Sequence, residues 1–166
     1  MLNVLVPVGS GKLALGVVEY LVGLSRHAGG LRVHLLYVAP LLSGRAARWI
    51  GRETRVNEGR DVARTNLTPI ADRLKGADLD VKMYAVHGEL AHAIAVTADE
   101  LGCDKIVMGS RQRTSLGRTL SNSVANRVMN KSRLPITIVP AGTPTLAERV
   151  GLPSGVGAAL LILALD

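Results

Sequence analysis

Residues 105–140 read KIVMGSRQRTSLGRTLSNSVANRVMNKSRLPITIVP, and this stretch decides the fold. An apolar run at 106–108 ends at Gly109, where a polar loop rich in Arg, Ser and Thr begins. A helical pattern over 122–131 and a β-branched run over 136–139 follow. Strand, loop, helix and strand in that order predict a parallel βαβ unit. Its loop opens onto a helix N-terminus, whose unpaired N–H groups and partial positive charge are suited to phosphate.

The same alternation of strand and helix runs through the chain upstream. Strands are predicted at 4–8, 33–38 and 79–86, before those at 106–108 and 136–139. Helices are predicted at 13–26, 60–75, 89–101 and 122–131. We therefore expect an α/β fold, a doubly wound, five-stranded parallel sheet with helices on both faces, of the Rossmann-like type. In such a sheet, ligands bind at the carboxyl ends of the strands, where the strand order reverses.

The segment between the second and third strands is the hardest to assign. The basic stretch at 43–59 is interpreted as a lid or an irregular helix. In the helix predicted after it, at 60–75, Val62, Leu67, Ile70 and Leu74 are expected on one side. Pro69 should kink this helix or begin a second segment, because proline cannot donate the helical hydrogen bond.

Composition places the chain among compact cytoplasmic proteins. Hydrophobic residues make up 48% and aromatic residues 2%, so the core must be aliphatic, as in parallel strands buried on both faces. The single Cys103 excludes an internal disulfide and fits a reducing compartment. No signal segment is recognised at the start, and no apolar run approaches the roughly 18 residues of a membrane helix. We expect a cytoplasmic protein without a membrane partner.

The positive charge raises nucleic acid as a partner. The formal net charge is +7, and much of the excess lies in five arginines. They are Arg45, Arg48, Arg52, Arg55 and Arg60. Stacking on single strands needs several aromatic side chains, and only Trp49 lies among these arginines. A solvated basic segment is therefore the favoured interpretation.

The sequence offers little for catalysis. Gly9-Ser10-Gly11-Lys12 resembles the end of a phosphate-binding P-loop, but Val6 stands where the first Gly is needed and Leu13 where Ser or Thr would ligate magnesium. No histidine spacing suits a metal site, and nothing supplies Ser110 with a general base. We expect a non-enzymatic protein without catalytic or metal-ligating residues.

Four segments resemble the universal stress protein family. They are VLVPV at 4–8, LLYVAP at 35–40, VHGELAHAIAVTADELGCDKIVMGSR at 86–111 and SVANRVMNKSRLPITIVP at 123–140. The resemblance covers residues 1–140 and implies a fold like that of the adenine nucleotide α-hydrolases. It also implies a cytoplasmic protein of the stress response and a homodimer paired through the last strand. The dimer-interface residues are then Ile136, Thr137, Ile138 and Val139.

Members of this family that bind ATP share the signature G-x2-G-x9-G-[ST] after the fourth strand. Gly109 and Ser123 match its first and last positions, but Gln112 and Asn122 replace the second and third glycines. The acid that these members carry after the first strand is missing, since residues 7–11, which include Gly9, contain no Asp or Glu. Val38 matches the residue that touches adenine. The nucleotide- or anion-binding residues implied are Val8, Gly9, Val38, Met108, Gly109, Arg111, Gln112, Asn122 and Ser123.

The departures from the signature have unequal consequences. Asn122 tolerates a left-handed backbone, and Asn122 and Ser123 are competent helix caps. Gln112 places a long side chain where backbone N–H groups must approach phosphate. Arg111, Arg113 and Arg118 remain as charged donors to phosphate oxygens.

Together these features predict a dimeric stress-response protein that acts through binding, has a degenerate nucleotide site and needs no cofactor. One alternative is a regulatory protein that retains ATP or AMP at the Gly109 loop. A further alternative is a basic protein associated with nucleic acid. The stress protein-like domain is assigned to residues 1–140. Residues 141–166 form a tail with an apolar run at 156–165, which we expect to pack on the domain or on a neighbouring subunit.

Overall fold

The computed structural model describes residues 1–9, 15–40, 52–109 and 124–139. The predicted tail, the loop after Gly109 and the part of the basic stretch at 43–51 lie outside these residues. Five strands are described, β1 Leu2–Val8, β2 Leu31–Ala39, β3 Asp80–His87, β4 Lys105–Gly109 and β5 Ile136–Val139. Four helices alternate with them, α1 Leu15–His27, α2 Arg52–Lys75, α3 Leu90–Glu100 and α4 Val124–Met129.

The strands form one parallel sheet in the order β3-β2-β1-β4-β5. β1 therefore lies at the centre, and the chain winds first toward β3 and then back through β4 to β5. This is the doubly wound arrangement expected from the sequence, and the fold prediction is confirmed. The reversal falls between β1 and β4, which defines the crevice where such folds bind ligands.

The sheet is covered on both faces by aliphatic cores. On one face, alternate residues of β1 and β2 pack against α1 and α2, as Val4, Val33 and Leu67 illustrate. On the other face, Leu5 and Leu36 pack against α3 and α4. Because both faces are buried, the central strands consist of nearly continuous apolar runs, which is why the sequence revealed them.

The second helix differs from its prediction in three respects. α2 begins at Arg52 and is continuous, so the end of the basic stretch is helical and Pro69 does not begin a second segment. The carbonyl freed by Pro69 belongs to Thr65, and both residues are exposed, so water can replace the missing bond. The prediction that Val62 shares one side of the helix with Leu67, Ile70 and Leu74 is wrong: those three are buried together with Ala63, and Val62 is exposed.

The two edges of the sheet are β3 and β5. β3 alternates between exposed and half-buried residues over most of its length, as expected for an edge strand. β5 is a four-residue strand preceded by Pro135. Both edges leave backbone groups on their outer side without a neighbouring strand among the described residues.

Candidate functional site

The carboxyl ends of β1, β2 and β4 bring the described candidate residues together at the carboxyl end of the sheet. Val8 pairs with Tyr37, so the next step along both strands places Gly9 beside Val38. On the other side of β1, Leu5 pairs with Ile106, and the same register leads to Val8 beside Gly109. Gly9 and Gly109 therefore flank the point at which the strand order reverses.

The side chains at this end of the sheet are not equally accessible. Val8 belongs to the core beneath α1 and α2, and Met108 belongs to the core beneath α3 and α4. Val38 is half-buried and packs at the margin of the second core. Gly9 and Gly109 are exposed, so they present backbone to the crevice. A ligand here would meet backbone at the two glycines and one aliphatic side chain, Val38, rather than Val8 or Met108.

Arg111, Gln112, Asn122 and Ser123 lie outside the described residues. α4 begins at Val124, directly after Ser123. Their assignment to the nucleotide or anion site therefore stays a prediction. The described half of the candidate site consists of Val8, Gly9, Val38, Met108 and Gly109.

One feature of the carboxyl end of the sheet was not predicted, namely the close approach of α2 to the last residue of β3. His87 pairs with Ala39 at the last position of the ladder, and its exposed imidazole lies against the backbone of Gly59. A Cβ placed on Gly59 would lie 2.8 Å from Cε1 of His87 and 3.0 Å from its Nε2. Glycine at position 59 therefore lets the helix backbone and the imidazole come together. The only sign in the sequence was a glycine within a charged helical segment.

The N-terminus of α3 also lies at the carboxyl end of the sheet, but a side chain of the protein already occupies it. The carboxylate of Glu89 accepts hydrogen bonds from the N–H groups of Ala91 at 3.1 Å and His92 at 2.9 Å. These two backbone bonds, His92 first, lower the pKa of Glu89, and nearby Lys131 and Arg127 contribute. Arg127 of α4 also approaches Glu89 at 3.5 Å. Since its own carboxylate caps the helix, α3 is not an anion site in this arrangement.

Cys103 and Asp104 are poorly placed for chemistry at the crevice. Cys103 is buried, and burial, with a smaller effect of Asp104, raises the pKa of its thiol to about 11. A thiol with that pKa is a weak nucleophile at neutral pH. Asp104 lies at the amino end of the sheet, away from the crevice, where its N–H donates to the carbonyl of Asn3 at 2.8 Å. Among the described residues, no group of three or more His, Cys, Asp or Glu could hold a metal ion.

Comparison with known proteins identifies the family. The model of the Universal stress protein family matches residues 1–140. The chain therefore belongs to the universal stress protein family, as its sequence segments indicated. No curated protein matches the chain at a significant level. None of the helices in the described part of the chain is long and apolar enough to cross a membrane.

Solved structures show the same fold. The hypothetical protein MJ0577 is 24% identical, with a TM-score of 0.65, and the match covers 86% of this chain and 97% of that one. The universal stress protein UspA of Lactobacillus plantarum is 19% identical, with a TM-score of 0.64 and coverages of 83% and 97%. A universal stress protein of Archaeoglobus fulgidus, solved in complex with dAMP, is 20% identical, with a TM-score of 0.56 and coverages of 84% and 98%.

Proposed function

We propose that this universal stress protein is a non-enzymatic homodimer that acts in the stress response through binding, with a weakened adenine nucleotide site. The site is the crevice between the carboxyl ends of β1, β2 and β4. The observation that carries the proposal is the exposed backbone at Gly9 and Gly109, on either side of the strand reversal. Backbone N–H groups at such a point are suited to phosphate, and Val38 offers an apolar contact for a base.

Two changes weaken the site in this proposal. Position 9 carries no carboxylate, so no acidic side chain at the end of β1 can accept a hydrogen bond from a sugar hydroxyl. Gln112 replaces a glycine of the family signature with a long side chain where phosphate would approach the backbone. Each change removes a favourable contact without adding one. The expected result is weak binding and purification without a bound nucleotide.

A second candidate function is a regulator that retains ATP or AMP. It is favoured by the dAMP complex of the Archaeoglobus fulgidus relative, which has the same fold. Arg111, Arg113 and Arg118 could then supply phosphate contacts in place of the lost backbone approach. A third candidate function is association with nucleic acid, which is supported by the net charge of +7.

The dimer of this proposal pairs β5 with its own copy about a two-fold axis. Ile138 is exposed on this edge strand although it is a large apolar side chain, and Val139 is buried beside it. Strand pairing across the axis would satisfy the outer backbone groups and cover Ile138 at the same time.

Native mass spectrometry of the freshly purified full chain separates the candidates. The proposal predicts a dimer mass with no added adenine nucleotide. A dimer carrying stoichiometric ATP, AMP or dAMP would favour the second candidate and contradict a weakened site. A thermal-melting assay tests the third candidate: a rise in melting temperature with RNA that disappears at high salt, without any rise with ATP, would favour association with nucleic acid.

A further inference from the structure

Strand β3 leaves a groove along the free edge of the sheet. β3 pairs with β2 on one side only, so its outer backbone groups have no partner strand among the described residues. A cavity of about 510 Å³ lies between this edge and α2. The residues that form most of its walls are Arg60, Ala63, Arg64, Leu67, Met83 and Ala85.

The floor of the groove is apolar. Ala63 and Leu67 are buried on the face of α2 that packs on the sheet. Val81 belongs to the same core, and the two-residue period of a strand places Met83 and Ala85 on that side of β3. Met83 is 45% exposed, which is unusual for a methionine beside a buried helix face. The groove therefore offers an apolar contact next to unpaired backbone.

The rim of the groove is basic. Arg60 and Arg64 are exposed and lie one helical turn apart on α2. Lys82 is also exposed, but the two-residue period of β3 places it on the opposite face of the sheet from the groove. No described carboxylate lies within salt-bridge distance of these three cations. Asp61 is the acidic residue of the lining, and Asp80 of β3 is paired with Arg32. The edge thus combines a strand that can accept a neighbour with an excess of positive charge.

We propose that this edge binds an extended acidic peptide segment of a partner protein as a sixth strand of the sheet. Backbone hydrogen bonds to β3 would hold the segment. The side chains of the segment that face α2 would include an apolar residue beside Met83 and acidic residues near Arg60 and Arg64, which supplies specificity and faster association. This binding surface is separate from the nucleotide crevice and does not depend on it.

The charge of the rim argues for a foreign acidic segment rather than a second copy of the chain. Two copies paired through β3 would bring two sets of Arg60 and Arg64 toward the same seam, where like charges repel. An acidic segment removes this repulsion and neutralises the rim. The proposal therefore separates the two edges of the sheet, with β5 proposed for the dimer and β3 for the partner.

Fluorescence anisotropy with the full chain tests the proposal. The probe is a fluorescein-labelled peptide of eight residues, the length of β3, in which every second residue is Ser and the residues between them are Glu and Val in turn, so that Glu and Val share one face. Two further probes carry N-methyl groups, one on the Ser amides and one on the Glu and Val amides. In an added strand, alternate N–H groups face the neighbour. We expect saturable binding of the parent peptide, loss of binding for one N-methylated probe and retention for the other.

Charge variants locate the binding surface. Arg60→Glu with Arg64→Glu should weaken the parent peptide by about tenfold or more, since each reversal turns an attraction into a repulsion. Arg26→Glu with Arg73→Glu carries the same change of charge on exposed residues outside the groove, and should weaken it far less. The proposal is overturned by absent saturable binding, by equal behaviour of the two N-methylated probes, or by equal weakening in both charge variants. A change of sedimenting mass in the Arg60 and Arg64 variant would assign the groove to contacts between copies and would also overturn it.

Discussion

The Nδ1 atom of His34 lies 3.3 Å from the hydroxyl oxygen of Tyr84, in the layer between the sheet and α3. This contact joins β2 to the edge strand β3 inside an otherwise aliphatic core. His34 is only 4% exposed, and its Nε2 atom is buried without a hydrogen-bond partner among the described residues. A charged imidazole there would be poorly compensated, so the fold favours the neutral form.

The first prediction concerns the dependence of stability on pH. Burial lowers the pKa of His34 from 6.5, and the positive charges of Lys82 and Arg32 lower it further, while Asp80 opposes them. Because the folded-state pKa lies below the unfolded-state value, the stabilisation is complete above about pH 6.5 and is lost as the pH falls toward the folded-state pKa. The free energy of unfolding from urea titrations at pH 5 to 8 should therefore fall at the acidic end.

His34→Leu isolates this effect. The substitution removes the titrating group and places an aliphatic side chain in an aliphatic layer, so the variant should keep more of its stability at the acidic end than the wild type does. The difference between the two stability curves, rather than either curve alone, reports on His34. Parallel curves across the whole range would show that protonation of His34 does not oppose folding.

The second prediction concerns Gly59 and His87. Replacing a glycine within a helix by alanine ordinarily stabilises a protein by about 0.5–1 kcal/mol. At Gly59 the new methyl group would meet the imidazole of His87 at 2.8 Å, so Gly59→Ala alone should give little or no gain. In a His87→Ala background the gain should reappear. Urea unfolding of the four proteins in this double-mutant cycle measures the coupling. Equal effects of Gly59→Ala in both backgrounds would contradict the close contact.

The third prediction concerns the proposed dimer. Ile138→Lys should dissociate the pair, because the charge would meet its own copy near the two-fold axis. Val62→Lys is the matched control, since Val62 and Ile138 are both 43% exposed and Val62 lies on α2, away from β5. Sedimentation velocity should return about half the wild-type mass for the first variant and the wild-type mass for the second. A monomeric wild type, or an Ile138→Lys variant that remains dimeric, would rule out pairing through β5.

The fold was predictable because buried parallel strands leave a simple mark in the sequence. All five strands lie within two residues of their predicted ends. Four of them are short aliphatic or β-branched runs, and β3 has the partial alternation of an edge strand. The start of α2 was missed because RETRVNEGR at 52–60 has no apolar periodicity for a pattern to detect. Val62 was grouped with Leu67, Ile70 and Leu74 because it is larger and more apolar than Ala63. The packed helix instead buries the row that contains Ala63, Leu67, Ile70 and Leu74.

The candidate site was predictable in its location and less so in its detail. Gly9, Val38 and Gly109 follow or end parallel strands, so topology alone brings them to the carboxyl end of the sheet. Val8 and Met108 are buried in the two cores because their side chains point toward the covering helices. A family signature records the residue type at a position and not the direction of its side chain. The His34–Tyr84 contact and the groove beside Met83 join residues far apart in the chain, and no local pattern marks such pairs.

The fourth prediction and the most direct test of the proposed function is isothermal titration calorimetry with ATP. Gly9→Asp together with Gln112→Gly restores both changes that the proposal holds responsible for weak binding. Gly9 is exposed, so the new carboxylate can reach the crevice without entering the core. We expect no low-micromolar binding by the wild type and at least about a tenfold gain in affinity in the double variant, near 1.4 kcal/mol. Low-micromolar binding by the wild type, about −8 kcal/mol, with no gain in the variant, would contradict the weakened site.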